Sequence, residues 1–131
     1  MMILLLSSEP VVRVALTEAL ESAGYVVAAR DNLGDAVLTM KDTPIDLLIT
    51  RPYIENISGH EAAKYLRKKD PGMAVLVVAG MLDDDRLTYR AEVEHFAIFP
   101  PPFKASQFLA KVKDVLKEME RHHSRPHHVS A

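Results

Sequence analysis

Short apolar runs alternate along the chain with segments in which apolar residues recur at helical spacing. Each run is continuous, with apolar side chains that would point to both faces of a strand. Strands covered on both faces are typical of parallel sheets, so these runs predict a parallel sheet. The five runs are Ile3–Leu6, Tyr25–Ala29, Leu47–Thr50, Ala74–Ala79 and Phe96–Phe99.

The intervening segments predict helices. Pro10 suits the first turn of a helix, and Gly24 is a typical helix end. Three carboxylates at Asp83–Asp85 favour a helix start and are more simply explained by capping than by metal binding. Further helices are predicted over Gly34–Lys41 and Ser58–Lys68. The last helix shows an apolar stripe formed by Ala105, Phe108, Leu109, Val112, Val115, Leu116 and Met119.

The strand–helix unit therefore repeats five times. Right-handed crossovers then give an open parallel sheet with helices on both faces and a crevice at the carboxyl ends of the strands. Residues 1–121 are predicted to form one domain, and residues 122–131 a disordered, histidine-rich tail. Without a fixed scaffold, the four tail histidines would bind metal only adventitiously.

Composition excludes several function classes. Among 131 residues there is no cysteine, so thiolate chemistry and disulfides are absent. The net charge of −2 gives no basic surface for direct binding to nucleic acid. The sequence contains neither an apolar run long enough to span a membrane nor a glycine loop typical of nucleotide sites. We therefore expect a cytoplasmic domain with no cofactor and no resident metal.

Five ordered pieces of the sequence resemble the receiver domain of two-component response regulators, over residues 3 to about 119. The resemblance implies a flavodoxin-like (βα)5 three-layer sandwich with strand order 2-1-3-4-5. The pieces are Ile3–Pro10, Glu21–Val27, Asp46–Thr50, Ser58–Glu61 with Leu66–Arg67, and Pro102–Phe103.

The resemblance also implies a phosphorylation pocket, and this chain departs from it. An active receiver has an acidic pair that holds Mg²⁺, a phosphoacceptor carboxylate, a hydroxyl and a lysine, which together neutralise a dianionic phosphoryl group. Glu9 alone survives in the first acidic turn, and a single carboxylate makes a poor Mg²⁺ site. The family's acidic pair falls on Ser7 and Ser8, and its phosphoacceptor falls on Arg51. The hydroxyl position falls on Ala79 and the lysine position on Pro101.

The resemblance therefore favours an atypical receiver, not an enzyme, that acts in signal transduction or transcriptional regulation without aspartyl phosphorylation. Arg51 has two interpretations: a built-in cation that pairs with Glu9 and holds one conformation, or a solvated strand-end residue. The alternative function is a flavodoxin-like domain that binds a small anionic ligand or a nucleotide in the same crevice, to which Arg51 would be suited.

Family resemblance also suggests a docking surface for a protein partner or an output domain. It lies on the predicted fourth helix, fifth strand and fifth helix, and a homodimer through the same surface is a further expectation. The family's aromatic switch position falls on Ile98. The candidate partner-binding residues are Arg86, Tyr89, Arg90, Ile98, Phe99, Pro100 and Lys104.

Overall fold

Five parallel strands form one sheet in the computed structural model, which describes residues 1–54, 57–78, 97–99 and 104–130. The sheet order is β2-β1-β3-β6-β7, which confirms the predicted order 2-1-3-4-5. A separate antiparallel hairpin, formed by β4 and β5, follows β3. The bounds are β1 Met2–Leu6, β2 Val26–Arg30, β3 Leu47–Thr50, β4 Tyr53–Ile54, β5 Ile57–Ser58, β6 Ala74–Val78 and β7 Ala97–Phe99.

The helix boundaries follow local signals in the sequence. Asn32 caps α2 by accepting a hydrogen bond from the Asp35 backbone N–H at 2.8 Å, and Ser58 caps α3 through the His60 N–H at 3.2 Å. Gly24, with φ of +92°, reverses the chain after α1. The described helices are α1 Pro10–Ser22, α2 Leu33–Asp42, α3 Gly59–Lys69 and the C-terminal helix Ala105–Ser130.

Alternate residues of the central strands enter two cores, one on each face of the sheet. Leu4, Leu6 and Leu48 face α2 and α3. Ile3, Leu5, Leu47 and Ile49 face α1 and the C-terminal helix, whose residues Phe108, Val112 and Leu116 are buried. Two-sided burial explains why the strands are continuously apolar in sequence.

Two elements differ from the sequence prediction. The β4–β5 hairpin was not predicted, because two-residue strands are too short to show an alternating pattern. The C-terminal helix continues to Ser130, so its backbone is helical through most of the segment predicted as a disordered tail. Between Ala105 and Ser130 the sequence contains no glycine, and Pro126 is the first residue that strongly disfavours a helix. The domain boundary at residue 121 stays a prediction.

Candidate functional site

Three neighbouring strands end level with one another, which places the residues that follow them at one edge of the sheet. Leu6 of β1 is paired with Thr50 of β3, and Thr50 is paired with Val77 of β6. Ser7 and Arg51 therefore lie side by side at the carboxyl edge, together with the end of β6 at Val78. In open α/β sheets this edge forms the crevice in which ligands bind.

The turn between β1 and α1 is held by its own side chains. Ser7 is fully buried, and its hydroxyl oxygen accepts the Glu9 N–H at 3.3 Å. Arg13, one turn into α1, donates from Nη1 to the Ser7 carbonyl at 2.9 Å. Ser8 is partly exposed beside them. Because the Ser7 hydroxyl is engaged within the turn, its position serves structure and offers no carboxylate for a metal.

Arg51 crosses the crevice in two directions from the end of β3. Its Nε donates to Glu9 Oε1 at 3.2 Å, forming an ion pair. Its Nη1 donates to the Val78 backbone carbonyl at 2.6 Å. The Arg51 side chain is only 15% exposed, whereas that of Glu9 is 54% exposed. The predicted contact between Arg51 and Glu9 is thus present, and the contact with Val78 was not predicted.

The backbone that carries Arg51 is fixed by the segment after it. The buried Thr50 hydroxyl donates to the Arg51 carbonyl at 3.1 Å. The Gly59 N–H donates to the Pro52 carbonyl at 2.6 Å, which closes the base of the β4–β5 hairpin. A Cβ on Gly59 would overlap the Arg51 carbonyl oxygen, so α3 can approach this closely only with glycine at its first position.

The structure brings together the described members of the predicted pocket, namely Ser7, Ser8, Glu9 and Arg51. Asp46 lies at the opposite edge, where its carboxylate accepts the Met2 N–H at 2.8 Å, so it is not part of the predicted pocket. Lys104 is exposed, and its carbonyl accepts the Phe108 N–H at the start of the C-terminal helix. Ile98 and Phe99 lie in β7, the strand at one edge of the sheet. The remaining predicted site residues, Ala79, Arg86, Tyr89, Arg90, Pro100 and Pro101, lie outside the described residues.

The geometry supports neither a metal site nor an open anion site at the described part of the crevice. Among the described residues, no three His, Cys, Asp or Glu side chains are grouped so that they could hold a metal ion. Two of the three guanidinium nitrogens of Arg51 already donate to acceptors in the protein. The Glu9 carboxylate beside it would repel an anion. No helix in the described part of the chain is suited to crossing a membrane.

Comparisons with known proteins agree on one family. The family model described as "Response regulator receiver domain" matches residues 3–113. A response regulator receiver protein of Anaeromyxobacter sp. is 30% identical over 94 residues, which cover 72% of this chain and 40% of that protein. A probable transcriptional regulatory protein of Picosynechococcus sp. is 24% identical over 95% of this chain and 52% of its own length.

Solved structures extend the likeness to the fold. The crystal structure of a CheY-like response regulator receiver domain protein from Methanospirillum hungatei superposes with a TM-score of 0.83 at 20% sequence identity. The match covers 92% of this chain and 97% of that one. The chain spans about half or less of the two sequence relatives, so the likeness concerns their receiver portion.

Proposed function

We propose that this chain, which belongs to the response regulator receiver domain family, signals by docking to a protein and does not accept a phosphoryl group. The observation that carries the proposal is Arg51, which stands where the family resemblance places the phosphoacceptor carboxylate and bonds to Glu9 and Val78. An arginine guanidinium stays protonated and has no lone pair free to attack phosphorus. The position can therefore bind neighbouring groups but cannot form the acyl phosphate that a phosphoacceptor carboxylate forms.

The surroundings of Arg51 support the same proposal. Phosphoryl transfer relies on Mg²⁺ and cationic side chains that neutralise charge on the transferring group. Mg²⁺ is bound through carboxylates and water, and at this turn Ser7 and Ser8 replace the acidic pair. The remaining carboxylate, on Glu9, is already paired with Arg51. The crevice is thus organised around an internal cation.

Docking is the activity that remains for such a receiver. Receiver domains interact with other proteins or with output domains, and the relatives matched here are longer than the matched region. We propose that the partner binds the surface around Arg86, Tyr89, Arg90 and the exposed Lys104, in a cytoplasmic pathway such as transcriptional regulation. Homodimerisation through the same surface is part of this proposal.

Phosphorylation is tested by incubating the chain with acetyl phosphate and Mg²⁺ and measuring its intact mass. We expect no increase corresponding to one phosphoryl group, while a receiver with an intact acceptor, treated in parallel, gains one. A stoichiometric adduct that requires Mg²⁺ would overturn the proposal, and mapping it by peptide digestion would identify the residue modified.

Docking is tested separately by using the chain as bait in a protein-interaction screen. Any partner recovered is then tested against Arg86→Ala and Arg90→Ala, with Lys41→Ala as a control on the exposed end of α2, away from the proposed surface. We expect the first two substitutions to weaken binding and the control to leave it unchanged. Equal binding by all three variants would exclude the proposed surface.

A further inference from the structure

One side chain joins three adjacent strands at the carboxyl edge of the sheet. Arg51 extends from the end of β3, which lies between β1 and β6. It contacts Glu9, just beyond β1, on one side and the last residue of β6, Val78, on the other. Its two contacts therefore tie the central strand to both of its neighbours.

The two contacts differ in strength. The Glu9 carboxylate is more than half exposed, and exposed ion pairs contribute little because water and salt screen them. The bond to the Val78 carbonyl is 2.6 Å long, and its acceptor belongs to a residue that is only 3% exposed. Both contacts have the same charged guanidinium as donor, so burial of the acceptor distinguishes them, because it limits competition from water. The Val78 contact is therefore the stronger one.

The two contacts also differ in what they hold. The turn that carries Glu9 is already held by the Ser7 hydroxyl and by Arg13. Arg51 therefore adds one more restraint to a turn that already has several. Val78 ends β6, and a backbone carbonyl at a strand end needs a hydrogen-bond donor from outside the ladder. The Arg51 guanidinium supplies that partner and fixes the end of β6 against β3.

We propose that Arg51 is a permanent strap whose principal anchor is the Val78 carbonyl, with Glu9 as a secondary, salt-sensitive anchor. The strap holds the end of β6 in one position without metal or phosphoryl group. This inference rests on the proposed function, because it explains how a receiver that is not phosphorylated keeps a single crevice conformation for docking.

The strap is tested by NMR amide hydrogen exchange on the full chain and three variants. Arg51→Met removes both contacts and keeps an apolar stem, and Glu9→Gln removes only the ion pair. Arg30→Met is the matched control, since Arg30 also ends a strand at this edge but bonds to Thr39 and the Ala29 carbonyl. The reporting amides are those of Val77, Val78 and Phe99.

We expect Arg51→Met to accelerate exchange of these amides roughly tenfold or more, as loss of a hydrogen bond from a charged group implies. Glu9→Gln should accelerate it by no more than about threefold, and salt at about 0.5 M should abolish that smaller effect. Arg30→Met should leave these amides unchanged. The Ala23 and Gly24 amides, at the opposite edge, should be unaffected in every variant.

Two outcomes would overturn the strap outright, and a third would require one further variant. Equal acceleration in Arg51→Met and Glu9→Gln would make the ion pair the anchor, and no acceleration in Arg51→Met would leave no anchor at all. Acceleration at Ala23 and Gly24 as well would indicate general destabilisation, and Arg51→Lys would then decide. Lysine keeps the charge but not the planar guanidinium. If Arg51→Lys does not show an intermediate acceleration confined to Val78 and its neighbours, the strap is rejected. None of these outcomes affects the phosphorylation test, so the strap can fail while the proposed function stands.

Discussion

Reversing the charge of Arg51 tests whether its cation stabilises the crevice. Arg51→Asp removes the bonds to Glu9 and Val78 and places a new carboxylate near that of Glu9. Arg51→Ala removes the same bonds without adding a negative charge. The difference between the two variants therefore isolates the like-charge interaction, and the difference between Arg51→Ala and the unsubstituted chain measures the lost contacts.

The magnitudes follow from the exposure of the two partners. Losing the Val78 bond should cost about 1.5–3 kcal/mol, the range for hydrogen bonds to charged groups. Losing the half-exposed Glu9 pair should add no more than about 1 kcal/mol. Two carboxylates roughly 7 Å apart in a mostly aqueous setting repel by about 0.5–1 kcal/mol. We therefore expect Arg51→Asp to be less stable than Arg51→Ala by that last amount at pH 7.

The like-charge part of this loss should depend on pH. Repulsion in the folded variant raises the pKa of one of the two carboxyl groups above its value in the unfolded chain. The folded state then binds a proton more readily than the unfolded state, so the penalty is full above that raised pKa and disappears as the pH falls through it. Because about 0.5–1 kcal/mol corresponds to a pKa shift of less than one unit, the stability of Arg51→Asp should approach that of Arg51→Ala as the pH falls from about 5.5 to about 3.5.

Urea denaturation followed by circular dichroism, at about pH 3.5 to 7.5, measures all three free energies of unfolding. Equal stability of the three proteins at every pH would refute the reasoning and leave Arg51 as a solvated strand-end residue. Arg51→Asp should also remain unphosphorylated by acetyl phosphate, because Ser7 and Ser8 still provide no carboxylates for Mg²⁺.

Three further substitutions test the framework that positions the crevice. Phe108→Ala removes a fully buried ring and should lower the free energy of unfolding by about 3–5 kcal/mol in urea denaturation; a loss below about 1 kcal/mol would place the ring outside the core. Gly59→Ala should cost about 1–3 kcal/mol and perturb the NMR shifts of Arg51, because its Cβ overlaps the Arg51 carbonyl, whereas Gly34→Ala in α2 should not perturb them. Asn32→Ala should cost about 1 kcal/mol in thermal melts through loss of the α2 cap, and no change would show that the cap does not contribute.

The sheet was predictable because its strands satisfy a strong and local condition. Each central strand is buried on both faces, as Leu47, Leu48 and Ile49 illustrate with no exposed surface, so each appears as an uninterrupted apolar run. Chain connectivity then restricts the strand order. The β4–β5 hairpin had no comparable signal: Ile54 is buried, but its strand partner Ile57 is 41% exposed.

The candidate site was predictable only to the extent that side chains define it. Ser7, Glu9 and Arg51 follow strand ends, so their meeting at one edge followed from the topology. The acceptor at Val78 is a backbone carbonyl, which every residue possesses, so no residue type in the sequence marks it. Its availability depends on β6 ending level with Arg51, and this register exists only once the sheet has formed.

The backbone acceptor at Val78 bears on the two interpretations of Arg51. If only side chains are considered, Arg51 either forms a weak, exposed ion pair with Glu9 or has no structural role. The two interpretations are hard to separate, because exposed ion pairs contribute little to stability. The Val78 carbonyl changes that balance, because it gives the guanidinium a short bond in a setting where only 15% of the side chain is exposed. An arginine that follows β3 thus finds, at the end of the neighbouring β6, a backbone carbonyl in position to accept from it. The carboxyl edge of the sheet therefore holds a cation through a backbone carbonyl as well as through a carboxylate.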